Sequence, residues 1–240
     1  MLLRIRSITC LAERINGYEL VEPHGRDLSP FEAGAHISVR IGDELVRDFS
    51  LWNDPTERSR YCIAVLCEAE GRGSREWHEK ARVGDIVGVS APRNNFPLAA
   101  DAGRHLLIAG GIGITPIMAM VRVLRRQRID FRLHYCTRSP EDTAFLDELA
   151  IPAAQGLVQF YHDGGNPAKG LDIAATLYEY RPGTHLYYCG PTGMMAAAEA
   201  ASKHWPQGTV HCEYFAGPKS VPPMVPEQHD QTPSRTYSER

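Results

Sequence analysis

Seven residues near the middle of the chain, Gly110-Gly111-Ile112-Gly113-Ile114-Thr115-Pro116, have the types and spacing to hold a phosphate. They follow the apolar run His105 to Ala109 and lead into apolar positions at Ile117, Met120, Val121 and Leu124. That pattern is a buried strand, a tight turn and an amphipathic helix. Glycines permit positive φ and close backbone approach, and the unbonded amides at a helix start attract an anion. The spacing is Gly111-x-Gly113-x-x-Pro116, in which proline replaces the third glycine of the usual dinucleotide fingerprint. Proline suits the first helical position, whose amide has no helical partner, so a helix is predicted over 116–127. By itself the stretch reads either as a nucleotide turn or as a plain strand-to-helix turn.

Other residues offer chemistry of the same kind. Tyr188-Cys189-Gly190-Pro191-Thr192-Gly193 is a second strand-to-helix turn. In the first half of the chain, Arg47-Asp48-Phe49-Ser50 ends a strand-like run, and Gly71-Arg72-Gly73-Ser74 precedes a short helical segment. An arginine and a glycine-serine helix start can clamp one phosphate between them, the first by a charge-assisted bond and the second by amides and a hydroxyl. Phe49 could then lie against a planar ring and Ser50 donate to it. Taken one at a time, each residue also has a purely structural reading: Arg47 as a solvated strand residue, Phe49 as core, Ser74 and Thr115 as caps, Cys189 as a small buried hydrophobe. Glu213 resists such a reading, because it ends a buried-looking strand where an unpaired carboxylate is costly. His36, His105, His134 and His211 read as core or surface residues.

Two sets of elements are expected to position these groups. Short runs rich in β-branched and aromatic residues at 2–8, 18–21, 35–41, 44–51, 61–66 and 85–89 predict a six-stranded antiparallel barrel over 1–99, with one helix over 74–82 capped by Ser74. From residue 100 the pattern alternates. Strands at 105–109, 131–136, 157–162, 185–189 and 209–215 interleave with helices at 116–127, 143–150, 172–180 and 193–203, which predicts a five-stranded parallel, doubly wound domain over 100–217. In the commonest strand order of such sheets the first and fourth strands are neighbours, so both glycine turns would line one crevice. Residues 218–240 are proline-rich and nearly free of aliphatic side chains, and read as a disordered tail.

Composition narrows the partners. A net charge of -3 gives no basis for nucleic acid or an acidic lipid surface as partner. Arginines at positions 4 and 6 interrupt what a signal peptide would need as an apolar core, and no run is long enough to span a bilayer. The expectation is a soluble, cytoplasmic protein that does not engage membranes. The six cysteines are scattered through apolar runs without a Cys-x2-Cys pair, which predicts reduced thiols and no metal site.

The motifs in order are distinctive: Phe31-Glu-Ala-Gly-Ala-His-Ile37, Arg47-x-Phe49-Ser50, Gly71-Arg-Gly-Ser74, Pro92-Arg-Asn-x-Phe96, the Gly110 to Pro116 turn, Cys189-Gly-Pro191 and His211-x-Glu213-x-Phe215. This series resembles the phthalate dioxygenase reductase and vanillate O-demethylase reductase family of the ferredoxin-NADP reductase superfamily, over about residues 2–217. The resemblance implies a flavin-binding barrel followed by an NAD-binding domain, with the two cofactors meeting between them. It implies FMN, with FAD the alternative, held at its phosphate by Arg47, Gly73 and Ser74 and framed at its ring by Phe49, Ser50 and the strand Ile63-Ala64-Val65. It places Gly111, Gly113 and Thr115 at the pyrophosphate of NADH, and Cys189, Gly190 and Pro191 beside the nicotinamide. Glu213 and Phe215 would approach the flavin from the far end of the chain. Ser50, Cys189 and Glu213 are then the candidate catalytic residues, Ser50 at the flavin N5.

Two departures from the family pattern stand out. Relatives usually carry Gly-Arg-Gly-Gly-Ser where this chain has Gly71-Arg-Gly-Ser74, one glycine shorter. They also normally continue into a [2Fe-2S] domain with a Cys-x4-Cys-x2-Cys run, and no cysteine follows Cys212 here. The expectation is therefore an NADH-dependent flavoprotein reductase, without [2Fe-2S] in this chain, that feeds a separate ferredoxin or oxygenase partner, or else a truncated form. A flavin reductase releasing free reduced flavin and a nucleotide-binding regulatory module without turnover are the alternatives.

Overall fold

A computed structural model describes residues 1–42, 45–68 and 72–215. The predicted tail over 218–240, Glu44 and Gly71 lie outside the described residues. The first part of the chain forms β1 (Leu2–Ala12), β2 (Ile15–Val21), β3 (Ala35–Ile41), β4 (Leu45–Ser50), β5 (Tyr61–Leu66), helix α1 (Arg72–Lys80), β6 (Ile86–Gly88) and β7 (Arg93–Asn94). They make two antiparallel sheets, ordered β5-β2-β1-β6 and β4-β3-β7, and the pairing of Val39 with Val89 links one to the other. Alternate residues of β1 and β3 point inward, so Leu3, Ile5, Ile37 and Val39 meet Tyr18, Leu20, Leu51 and Ile63 in one apolar core.

The second part forms β8 (Arg104–Gly110), α2 (Ile114–Gln127), β9 (Asp130–Thr137), α3 (Leu146–Ala154), β10 (Val158–His162), α4 (Ile173–Leu177), β11 (Thr184–Cys189), α5 (Thr192–Ala201) and β12 (Val210–Glu213). Its parallel sheet is ordered β10-β9-β8-β11-β12, so the first and fourth strands of this part are neighbours as expected. The antiparallel barrel followed by a five-stranded parallel sheet is the architecture the sequence predicts, with β7 as an additional two-residue strand.

Several boundaries differ. β1 and β2 run longer than predicted because they form a tight hairpin in which Ala12 pairs with Ile15 across Glu13 and Arg14. Arg14 takes the positive φ that such a turn needs, where glycine or asparagine would have signalled it. Helix α1 begins at Arg72, so Ser74 is its third residue rather than its cap. Helix α2 begins at Ile114 after a single 3-10 turn over Gly111–Gly113, so Pro116 is its third residue rather than its first. Proline is still tolerated there, because the first four amides of a helix have no helical partner.

The two parts share a core. Ile15, Ala33, Ala64 and Phe96 of the barrel pack with Leu107, Ala109, Ile114 and Ile117 of the sheet and its first helix. At the margin, the Arg122 guanidinium stands 4.8 Å over the Trp52 ring, Trp52 meets Phe145 at 5.0 Å, and Arg126 pairs with Asp54. No helix among the described residues is long and apolar enough to cross a membrane.

Candidate functional site

The two glycine turns touch each other. A Cβ on Gly113 would stand 2.3 Å from the Cys189 carbonyl oxygen and 2.7 Å from the Gly190 nitrogen, so only glycine lets α2 start against the end of β11. Gly111 is different. It has φ +51° and nothing within 4 Å of a Cβ built on it, so the space beside its Cα is open. Thr115 is buried and donates its hydroxyl to the Ile112 carbonyl at 3.0 Å. This hydrogen bond closes the turn. The Cys189 thiol is fully buried, and burial first, then the Glu213 carboxylate, push its pKa upward, so it stays a neutral thiol. Gly190 is half-buried and Pro191 exposed at the same turn.

On the barrel side, the Arg47 guanidinium lies 3.3–3.5 Å from where a Gly73 Cβ would be. Arg47 also donates to the Val46 carbonyl at 3.0 Å, and the Ser74 hydroxyl oxygen accepts from the Glu68 amide at 3.2 Å. A cation laid over the bare Cα of Gly73, in the first turn of a nine-residue helix, is a donor set that fits a phosphate. Phe49 is half-buried, its ring 6.4 Å from Trp77. Ile63 and Val65 point into the barrel core, and of the three β5 residues only Ala64 turns toward the sheet part.

Between the halves lies a cleft of about 230 Å³ whose walls include His36, Arg47, Asp48, Ser50, Glu213 and Phe215. Glu213, at the end of β12, reaches back to the barrel. Ser50 Oγ donates to its Oε2 at 3.4 Å, and His36 Nδ1 stands 3.8 Å from its Oε1. Burial raises the Glu213 pKa to about 7, opposed by the Ser50 hydrogen bond and helped by the Asp48 carboxylate. The carboxyl is thus poised to hold or give up a proton near neutrality. The structure therefore joins Arg47 with Gly73, and Ser50 with Glu213, and sets Cys189 behind Glu213. His36 is the residue that sequence reasoning missed. Its signal was the strand register, which sets it directly opposite Ser50. By contrast, burial holds His105 and His134 neutral, with pKa values lowered to about 4. Among the described residues no group of three or more His, Cys, Asp or Glu is arranged to hold a metal ion. All six cysteines are free thiols.

Fold and crevice define a nucleotide-binding oxidoreductase, and residues 107–200 match the oxidoreductase NAD-binding domain. The chain is 52% identical over 221 residues to the reductase subunit of tert-butanol monooxygenase / tert-amyl alcohol desaturase from Aquincola tertiaricarbonis, covering 92% of this chain and 66% of that protein. It is 43% identical over 220 residues to vanillate O-demethylase oxidoreductase from Pseudomonas sp. (strain HR199 / DSM 7063), covering 90% and 69%. The solved structure of phthalate dioxygenase reductase, described as modular for electron transfer from pyridine nucleotides to [2Fe-2S], superposes with a TM-score of 0.86 at 44% identity, over 90% of this chain and 68% of that one. The chain belongs to the phthalate dioxygenase reductase and vanillate O-demethylase oxidoreductase family, oxidoreductases named as reductase components of oxygenases. It spans about two thirds of the length of these relatives.

Proposed function

We propose that the chain is an NADH-dependent flavoprotein reductase that passes electrons from NADH through bound FMN to a separate ferredoxin or oxygenase partner. Residues 1–99 are the flavin-binding barrel in this reading, and 100–217 the NAD-binding domain. The observation that carries it is the Ser50–Glu213 contact, which joins the barrel to the last strand of the nucleotide-binding sheet at one cleft. A bound flavin supplies hydride acceptance and one-electron release, chemistry that amino-acid side chains lack.

The chain's own residues orient and exclude water. Arg47, Gly73 and Ser74 hold the FMN phosphate; Phe49, Ala64 and the backbone of Ile63 and Val65 border its ring. Gly111, with Gly113 and Thr115 shaping the turn beneath it, receives the NADH pyrophosphate. Cys189, Gly190 and Pro191 border the nicotinamide, and Phe215 covers the cleft. With flavin bound, Ser50 would turn its one hydroxyl proton from Glu213 toward the flavin, and Glu213 would hold a proton beside it. An absorbance spectrum of the purified protein, recorded anaerobically before and after NADH, tests the reading. A flavin band that bleaches with NADH and returns with ferricyanide or cytochrome c is expected, and a protein without flavin or without bleaching contradicts it. Stoichiometric iron and acid-labile sulfide in the 240-residue chain would contradict transfer to a separate acceptor.

A further inference from the structure

The two carboxyl oxygens of Glu213 face two different barrel residues on adjacent strands. Ser50 on β4 bonds Oε2, and His36, directly across from it on β3, stands 3.8 Å from Oε1. Directly opposed residues of an antiparallel pair share one face, with Cβ atoms roughly 5 Å apart, so the two side chains form a fixed fork. The fork closes on a carboxyl that arrives from the edge of the other sheet. We propose that His36 is a positioning residue, whose imidazole holds the Glu213 carboxyl in the orientation that reaches Ser50 and sets the pH at which that carboxyl ionises. The inference rests on the reading of Ser50 and Glu213 as the reacting pair.

The surroundings leave this role to His36. Asp48 shares the same face of β4, but its carboxylate is engaged by the Ser38 hydroxyl at 2.6 Å and by Arg93 at 3.5 Å, and its charge opposes ionisation of Glu213. Arg47 lines the same cleft while its guanidinium lies over Gly73. From β11 the Cys189 thiol is neutral, and Cys212 and Tyr214, which flank Glu213 in the chain, also line the cleft. An imidazole that donates to a carboxylate, or pairs with it when protonated, favours the ionised form against the burial that opposes it. Replacing the imidazole by an apolar ring of similar size leaves Glu213 with burial and Asp48 acting on it and removes the polar group that stands 3.8 Å from its Oε1.

The test is a carbon-13 NMR titration of the Glu213 carboxyl in the full chain with its flavin bound. His36→Phe is expected to raise the Glu213 midpoint by about one pH unit, a tenfold change in its ionisation constant. His36→Asn, which keeps a donor near the Nδ1 position, is expected to bring the midpoint back toward that of the unmodified protein. An unchanged midpoint in His36→Phe overturns the proposal, as does a His36→Asn midpoint no closer to the unmodified protein than that of His36→Phe. Should His36→Phe fail to fold, the unmodified protein decides: the His36 Nδ1 nitrogen shift must inflect at the Glu213 midpoint, and a flat response overturns the pairing. Neither readout needs turnover. A moving midpoint in a protein whose flavin NADH does not bleach sinks the proposed function alone, and a fixed midpoint in an active reductase sinks this inference alone.

Discussion

The barrel half and the sheet half of the cleft are built from different materials. From β3 and β4 the barrel projects polar side chains, His36, Arg47, Asp48 and Ser50, into the opening. The sheet half offers mostly backbone. Its two turns lock against each other through Gly113, its Thr115 and Cys189 side chains are buried, and Gly111 alone of that turn's glycines is both left-handed and open. The end of β12 is the exception: Cys212, Glu213, Tyr214 and Phe215 line the cleft, and Glu213 reaches across to the barrel. The difference matches what each half is proposed to hold. A group that changes protonation or charge needs titratable and donor side chains around it, whereas a pyrophosphate needs amides and room.

Substitutions can break this contrast, and the largest effect belongs to the locked turns. Gly113→Ala puts a methyl 2.3 Å from the Cys189 carbonyl oxygen and is expected to cost about 4 kcal/mol of stability in urea unfolding. Ordinary stability would mean that the turns are not locked. Next comes the pH dependence of Glu213. Its folded pKa, about 7, lies above the ordinary 4.5, so its contribution is whole below about pH 4.5 and is lost as pH rises through 7. That loss is expected to reach about 3 kcal/mol, and Glu213→Gln should flatten it in unfolding measured across the same range. A smaller loss tests the barrel clamp: Arg47→Ala is expected to weaken FMN binding by about 2 kcal/mol, roughly 30-fold, in fluorescence titrations, with NADH binding to the sheet half kept. The smallest is Gly111→Ala, in which the left-handed backbone costs roughly 1 kcal/mol of stability while NADH affinity falls and FMN affinity stays. If FMN affinity fell with it, the division between the halves would be false.

Much of this arrangement was legible in the sequence, for physical reasons that also mark where legibility ends. Alternating strand and helix periodicity gave the parallel sheet, and the neighbouring of β8 and β11 follows from the usual winding of such sheets. Residues that act through local backbone, such as Gly111 and Gly113, announce themselves by type and spacing. Helix α2 starts two residues before Pro116 because the 3-10 turn over Gly111–Gly113 winds straight into it, with Gly113 against the end of β11 at Cys189. β7 is only two residues long and carries no periodicity, yet it ties Asn94 to the Ala33 carbonyl at 3.0 Å. His36 reads as core or surface because nothing near it in sequence predicts a carboxyl from residue 213. Only the pairing of β3 with β4 and the arrival of β12 at their face bring the two together.

If the chemistry takes place where the barrel's side chains meet Glu213, it depends on Ser50. Stopped-flow absorbance should show flavin in Ser50→Ala bleaching about 100-fold more slowly with NADH than in the unmodified protein, with flavin content and NADH affinity unchanged. Bleaching at the unmodified rate would place the chemistry elsewhere.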